Sequence, residues 1–473
     1  MHTFEQEVCQ RLPLADAVYQ LLDFVTADAV LDKIFARHRG PSYQDVITFP
    51  LFVHLIAAAL LQRDASAHQS FQRAHQAGTL PASVVALYGK LKRVPLSLSQ
   101  GLLAETTQRL RTVFPDVGET LPASLQKFEV FAFDGKKLKF LAKRLKPVRA
   151  VRGLVLGGKL LVAQHLYTGL ALAFEANADG EAADNPLVAG AITQVRALYA
   201  QGPRLWIGDR LFCDLNQMQQ LSAEGDHFLL RYQAKVGFHP DPQRPPRTGH
   251  DHRGLPYTED WGWLGSPKDP RRRYVRRITV QRPGQKPIIL VSSLLDADQY
   301  PAADLSAAYL RRWGIEKMFQ EVTEVFDLRH LIGSTPQATV FQGALCLLLY
   351  NLIRAVRGYL AQAQQRQPET ISSKHLFLDV TRQLTAWNEL VTVAQTLAWL
   401  GGMERTVEQL QAYLRQRLAG VWKPCWQKAA TKKRVGAPTP TQYLKGGHSS
   451  VYRILRGQHK LSPDPATGAK KRC

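Results

Sequence analysis

FEVFAFDG, residues Phe128–Gly135, is where this sequence changes character. Its aromatic and β-branched residues, closed by an acid and a glycine, fit a short buried strand that delivers Asp134 at its C-terminal end. The residues just beyond are intensely basic: Lys136, Lys137, Lys139, Lys143, Arg144 and Lys146. An acid at a strand end commonly does no more than start a turn. In front of six cations it reads better as a metal ligand beside a track for phosphates.

Downstream, Arg152–Leu156, Lys159–Leu166 and Gly169–Glu175 read as further strands, and Pro186–Tyr199 as a helix crossing back. Gly153–Lys159 spells G-x-x-x-x-G-K, but Leu160 replaces the hydroxyl residue that a phosphate-binding loop needs for magnesium. The segment reads instead as a hairpin with no helix behind it, and nucleotide binding is rejected there. RLWIGDRLFCD, Arg204–Asp214, supplies a second buried strand, Leu205–Ile207. Gly208 lets the backbone turn, and Asp209 leaves the strand end with Arg210 adjacent. Asp214 is the competing acid and reads as an exposed helix-start residue. Cys213–Leu221 then continues as a helix and His227–Arg231 as a strand. Strand, hairpin, helix, strand and helix, with acids at two strand ends, give an α/β class with a mixed sheet.

The flanks differ. Residues 1–125 read as helical, with apolar spacing of three and four in Leu14–Thr26, Ala29–Ala36, Thr48–Gln62 and Leu98–Val113, and breaks at Gly40-Pro41 and Leu80-Pro81. Residues 236–300 read as a β-rich insertion: a loop rich in proline, arginine and histidine, His239–Gly254, then strands at Tyr274–Gln281 and Pro287–Ser292. His250 and His252 lack partners for a metal site, and Trp261 and Trp263 read chiefly as strand-packing residues. A second apolar helix, Gln337–Leu360, completes the core, with structural helices at Ser373–Trp387, Leu390–Leu400 and Arg405–Leu418. Beyond Trp422 the chain turns basic, through Lys432-Lys433-Arg434, Arg453, Arg456 and Lys470-Lys471-Arg472, with prolines and glycines that argue for a loose tail. Such a tail is solvated or binds DNA nonspecifically.

A third acid lies in YLRRWGIEKMFQEVT, Tyr309–Thr323, which reads as one helix weakened only by Gly314. At about 100° per residue, Tyr309, Arg312 and Glu316 fall within roughly 60° of one another. Ile315, Met318 and Val322 form the packed back. A merely solvated polar face is the plain alternative, but Trp313 beside it suits a face that meets something. Tyr-x-x-Arg-Trp-x-Ile-Glu resembles the signature of the DDE transposases of bacterial insertion sequences, in the insertion sequence four branch marked by a Tyr-Arg-Glu-Lys motif. The resemblance implies that Glu316 is the third catalytic acid and that Tyr309 and Arg312 hold transposon-end DNA beside it. The motif's lysine, seven residues after the glutamate, is Thr323 here. The resemblance also implies a second acid motif at Asp209 and a ribonuclease H-like core. The β-rich insertion then lies between the second and third acids, and in relatives one of its aromatics can hold a flipped base. N-terminal helices that recognise the terminal repeats complete the implied set.

Composition fits a nucleic-acid partner. In 473 residues, lysine and arginine outnumber acids 61 to 39, for a net charge of +22, an excess suited to a polyanion. Hydrophobic content of 45% is enough to bury several cores. Apolar runs such as Leu55–Leu61 and Ala344–Tyr350 are too short to cross a bilayer. The N-terminus is no secretory signal, and five scattered cysteines without Cys-x-x-Cys fit a reducing cytoplasm, which the resemblance implies is bacterial. The expected organisation is a helical, end-binding region at 1–125, a catalytic core at 126–235 and 301–362, the insertion at 236–300, and a helical region with a basic tail at 363–473. Asp134, Asp209 and Glu316 are expected around two magnesium ions, with manganese as a substitute. Tyr309, Arg312, Trp313, Arg210, Lys136 and Lys137 are expected on DNA: inverted repeats and target duplex, held by a homodimer. Strand cleavage and transfer is the expected activity. The alternatives are a decayed or repurposed transposase that only binds DNA, and a ribonuclease H-like nuclease that does not rejoin strands.

Overall fold

A computed structural model describes residues 3–61, 66–116, 121–139, 146–149, 151, 153–324, 332–391, 395, 396, 399, 405–428 and 448–458. The chain opens with helices α1 (Thr3–Arg11), α2 (Pro13–Thr26), α3 (Asp28–His38), α4 (Phe49–Leu61), α5 (Ala67–Gln76), α6 (Val84–Leu91) and α7 (Leu96–Thr112). Of these α1, α5 and α6 are additional to the sequence reading. Ser66 and Gln69 close a reciprocal capping box at the start of α5, the signal that its weak apolar spacing hid. Strand β1 (Glu129–Leu138) follows, then α8 (Lys146–Arg149), β2 (Leu154–Leu156), β3 (Gly158–His165), β4 (Ala171–Asn177), α9 (Asn185–Leu198), β5 (Arg204–Gly208), α10 (Leu215–Leu221) and β6 (His227–Arg231). The next stretch is all strand: β7 (Phe238–Pro240), β8 (Arg247–His250), β9 (Pro256–Leu264), β10 (Arg273–Arg282) and β11 (Gln285–Ser292). Helices α11 (Ala302–Arg311), α12 (Trp313–Glu324), α13 (Pro336–Ala363), α14 (Ser373–Leu390) and α15 (Val407–Leu418) come next, before β12 (His448–Ser450) and α16 (Val451–Leu455).

One mixed sheet organises these elements, in the order β4-β3-β1-β5-β6-β11-β10-β9-β7, with β8 on β9. Strand β1 is antiparallel to β3 and parallel to β5, and β5 is parallel to β6. Strand β11 adds antiparallel to β6, so the strands after residue 236 continue this sheet. Alternation in β1 sends Phe131 and Phe133 to one face and Val130 and Ala132 to the other. The first face is covered by α9, α7 and α13, which share a core with α2, α4, α14 and α15. The second is covered by α11. Helices from both ends of the chain therefore bury their apolar sides on a common centre.

Helix α13 is that centre. Thr335 caps it and Pro336 occupies its first turn, where a missing N–H costs nothing. By length and composition α13 could cross a membrane, contrary to the reading that every apolar run is too short. Yet 94% of its apolar window is buried inside the protein, as befits a core helix.

Several local expectations are corrected. Strand β1 does not end at Asp134 but runs on to Leu138, because Lys136 and Lys137 keep pairing with Leu160 and Lys159 of β3. Residues 153–159 are not a hairpin: β2 pairs in parallel with β12, far away in sequence. Gly208 makes no turn. It closes β5, where a Cβ would stand 3.0–3.2 Å from Leu230, Phe212 and Phe133, so its role is close packing. A 3-10 turn, Arg210–Phe212, precedes α10, and Asp214 caps α10 by accepting from the Asn216 and Gln217 amides. The loose-tail reading fails for residues 448–458, since Arg453 pairs with Asp179 and Glu181 at 2.8 and 2.7 Å. The basic runs at Lys432–Arg434 and Lys470–Arg472 lie outside the described residues, as do Lys143, Arg144 and most of the expected helix at 390–400.

Candidate active site

Strand periodicity sets the first two acids. Val130 and Ala132 of β1, and Leu205 and Ile207 of β5, face the α11 side of the sheet. Asp134 and Asp209, each two residues farther along, continue those rows on that same face. Ala132 pairs with Ile207, so the two acids occupy adjacent positions one step beyond the end of that ladder. Asp209 keeps an extended backbone, with φ −77° and ψ 175°, before the 3-10 turn begins. The row has a third member. Ile207 pairs with Leu229 of β6, and Arg231, two residues on, places Nη1 4.0 Å from Asp209 Oδ1. Beneath the row, the rings of Phe133 and Phe212 pack edge to face with centroids 4.5 Å apart, bracing both strand ends.

The segment carrying the third acid is not the single helix expected. It breaks at Arg312, between α11 and α12. The break lets Arg312 sink to 3% exposure while its Nη2 donates to Glu316 Oε1 at 3.0 Å. Tyr309, 3% exposed, lies below with its ring centroid 5.6 Å from the guanidinium. Trp313, 51% exposed, flanks the other side at 5.7 Å. Tyr309, Arg312, Glu316, Asp134 and Asp209 are thus one electrostatic group.

Its charges act on one another. Burial pushes the Asp134 carboxyl up to about 6 from an ordinary 3.8, with Glu316 and Asp209 adding to the rise, while the Gly135 amide and Arg312 oppose it. Burial works against the Arg312 charge, but Tyr309, Asp209 and Glu316 outweigh it and hold that guanidinium above its ordinary range. Burial also raises the Tyr309 phenol, so it stays neutral. Among the described residues, Asp209 Oδ1, Tyr309 Oη and Arg312 Nε are buried without a hydrogen-bond partner. Such atoms are costly unless something polar meets them.

Oxygen ligands of this kind suit a hard divalent cation, and the orphaned Asp209 oxygen and the destabilised Asp134 charge are features that such a cation would relieve. Among the described residues no three His, Cys, Asp or Glu side chains stand at metal-ligating spacing. Arg312 occupies Glu316 instead. The donor set fits in chemistry, and closing around an ion requires Glu316 to exchange its arginine partner.

Other expected residues divide. Lys136 is half-buried, on the face of Asp134, with its ammonium 5.6 Å from the Phe319 ring of α12. Lys137 alternates to the opposite face and is exposed, and Arg210 is exposed on the 3-10 turn. Trp261 is buried and donates to the Leu295 carbonyl at 2.9 Å, so it packs. Trp263 is partly exposed, under Arg272 and against Tyr274. His252 pairs with Asp304 at 2.6 Å. Arg231 was missed, although its place at the end of a predicted strand, two residues past Leu229, carried the same signal as Asp209.

Among curated proteins, none matches. A solved piggyBac transposase synaptic complex with hairpin DNA is similar over 87% of this chain and 84% of that one, at 12% identity and a TM-score of 0.38. Residues 128–352 match the family model described as Transposase DDE domain, a span that contains Asp134, Asp209 and Glu316 and that supports a DDE transposase.

Proposed function

We propose that this protein is a transposase of the insertion sequence four branch, which binds the inverted repeats of its own element, cleaves there and transfers the ends to target DNA. The observation that supports the reading is the influence of Glu316 and Asp209 on Asp134, whose carboxyl is raised to about 6 by burial and, to a lesser degree, by those two charges. A carboxylate whose charge is held against burial beside two further acids, in a basic chain, suits metal-assisted phosphodiester chemistry. The order β4-β3-β1-β5-β6, with β3 antiparallel, supports a ribonuclease H-like core.

In this mechanism Asp134, Asp209 and Glu316 hold two divalent ions, magnesium or manganese. When bound, these supply Lewis-acid activation of a water or 3′-hydroxyl and of the leaving oxygen. Arg312 hands Glu316 over and turns its planar donors to the scissile strand, a bidentate phosphate clamp. Tyr309, neutral through burial, donates to the same strand. Arg231 offsets the Asp209 charge until then. Trp313, Arg210, Lys136 and Lys137 track the neighbouring phosphates, and residues 1–125 contact the terminal repeats. The protein acts as a homodimer in the bacterial cytoplasm.

The test is cleavage of a duplex spanning the element's end with Asp134→Asn, Asp209→Asn and Glu316→Gln. Each variant should lose magnesium-dependent cleavage while still shifting end DNA. Cleavage that survives any one change removes that residue from the site, and cleavage in chelator removes the scheme.

A further inference from the structure

A second cationic feature lies on another face of α12. A cavity of about 260 Å³ is lined, among the described residues, by Arg311, Lys317, Arg354, Arg357 and Lys428 and by the acids Glu321 and Glu369. It is smaller than the roughly 300–1,000 Å³ of small-molecule sites, but wide enough for a tetrahedral anion. At about 100° per residue, Trp313, Lys317 and Glu321 share a face of α12 centred roughly 100° from Glu316. The cavity is therefore separate from the carboxylates, with exposed Trp313 on the rim between them.

The cavity's arginines are built in. Gly169 has φ +70°, and a Cβ there would fall 2.2 Å from Arg354 Nε, so the glycine both makes the turn and admits the guanidinium. Arg354 Nε donates to the Thr168 carbonyl at 2.6 Å, and Nη2 reaches Glu369 at 3.4 Å. Arg357, 5% exposed, donates to Ser373 and stands 3.8 Å from Glu321. Among the described residues its Nε is buried with no hydrogen-bond partner. Lys428 donates to the Glu369 carbonyl at 2.7 Å. Burial and then Arg354 hold the Arg357 guanidinium below its ordinary range, and burial followed by Arg357 depresses Lys428. Like charges gathered at partial burial oppose folding unless an anion joins them.

We propose that this pocket, formed by α12, α13, the β3–β4 turn and Lys428, binds one backbone phosphate of a DNA strand. It deepens the reading of the chain as a DNA-processing protein, by adding an anchor outside the carboxylate site.

The variants are Lys317→Gln with Lys428→Gln, both at exposed positions, in the full chain. The control, Lys268→Gln with Lys374→Gln, removes the same charge at exposed positions elsewhere. Anisotropy of a fluorescent duplex is read across a salt series. One lost phosphate contact should lower the slope of log K against log salt by about 0.9, with the control slope unchanged. Without DNA the pocket variant should melt no lower than the wild type, since it relieves repulsion. Pocket and control slopes that fall together overturn the proposal. So does a melting temperature raised by inorganic phosphate in the wild type but not in the pocket variant, if the DNA slopes are equal; that result marks a free-phosphate site. Cleavage is not the readout, so inactive carboxylates with an intact slope difference would sink the enzymatic reading and leave this one standing.

Discussion

Replacing Asp134 with asparagine should stabilise this protein while inactivating it. The carboxyl ionises at about 6 in the folded chain against an ordinary 3.8, chiefly through burial, then Glu316 and Asp209. Holding the charged form there at neutral pH costs at most about 3 kcal/mol, at roughly 1.4 kcal/mol per tenfold change in acidity. Asparagine keeps the shape, and its side-chain oxygen can still accept the Gly135 amide, which now donates to Asp134 Oδ1 at 2.8 Å. Because the folded value is raised, the folded chain retains a proton that the unfolded chain has lost between pH 3.8 and about 6. Wild-type stability therefore falls as pH rises through that window and levels off above it.

The Asp134→Asn variant lacks that fall, so the gap between the two proteins should open from about pH 4 and be complete by about pH 7. Unfolding entropy of about 2.1 cal/mol/K per residue implies roughly 1 kcal/mol per degree for a chain this long. The expected gain is thus up to about 3 °C in melts with chelator. Magnesium should narrow the gap by stabilising only the wild type. A variant that melts lower at every pH, or a gap that ignores pH, would refute the claim that Asp134 is held as a destabilised charge.

Three further changes test the surroundings. Arg312→Ala removes the bond to Glu316 and the cation nearest Asp134; the Asp134 carboxyl should rise further, and the salt slope for end DNA should fall by about one, read by anisotropy. Gly208→Ala drives a Cβ to within 3.0–3.2 Å of Leu230, Phe212 and Phe133, which should cost about 1–3 kcal/mol by denaturant melts and cut cleavage by shifting Asp209. Thr323→Lys replaces a hydroxyl that now returns to the Phe319 carbonyl at 2.6 Å; it should tighten end-DNA binding at low salt and lose the gain as salt rises, whereas a lower melting temperature without tighter binding would mean that this face packs on protein.

What the sequence exposed and what it hid follow from the range of each signal. Asp134 and Asp209 stood out because both follow short apolar strands, whose period of two can be read locally. Arg231 obeyed the same rule and was passed over only because basic residues at strand ends are common. The break at Arg312 left no mark beyond Gly314, since it accompanies the burial of a guanidinium beside Tyr309, Asp209 and Glu316, of which Asp209 is distant in sequence. Strand β2 was invisible as a partner of β12 because the pairing joins residues nearly 300 positions apart. Lys136 and Lys137 looked like loop residues by composition. They are strand because β3 supplies their partners, a tertiary effect that overrides their low β propensity.

That last misreading bears on why the site exists. Strand β1 has two neighbours as far as Ala132, which pairs with Ile207 of β5. Beyond it β1 stays on β3 through Leu138, while β5 ends at Gly208 and the chain turns away at Arg210–Phe212. The sheet therefore divides at the row of the two acids. A strand that stopped at Asp134 would leave a mobile, solvated carboxylate with no reason for a raised pKa. A fully paired β5 would fill the gap with backbone. Division with continued support on one side gives an opening that α12 can enter from above, bringing Glu316 and Arg312 to carboxylates whose main chain remains rigid. The cost is the destabilised Asp134 charge, which is the quantity that the asparagine variant measures.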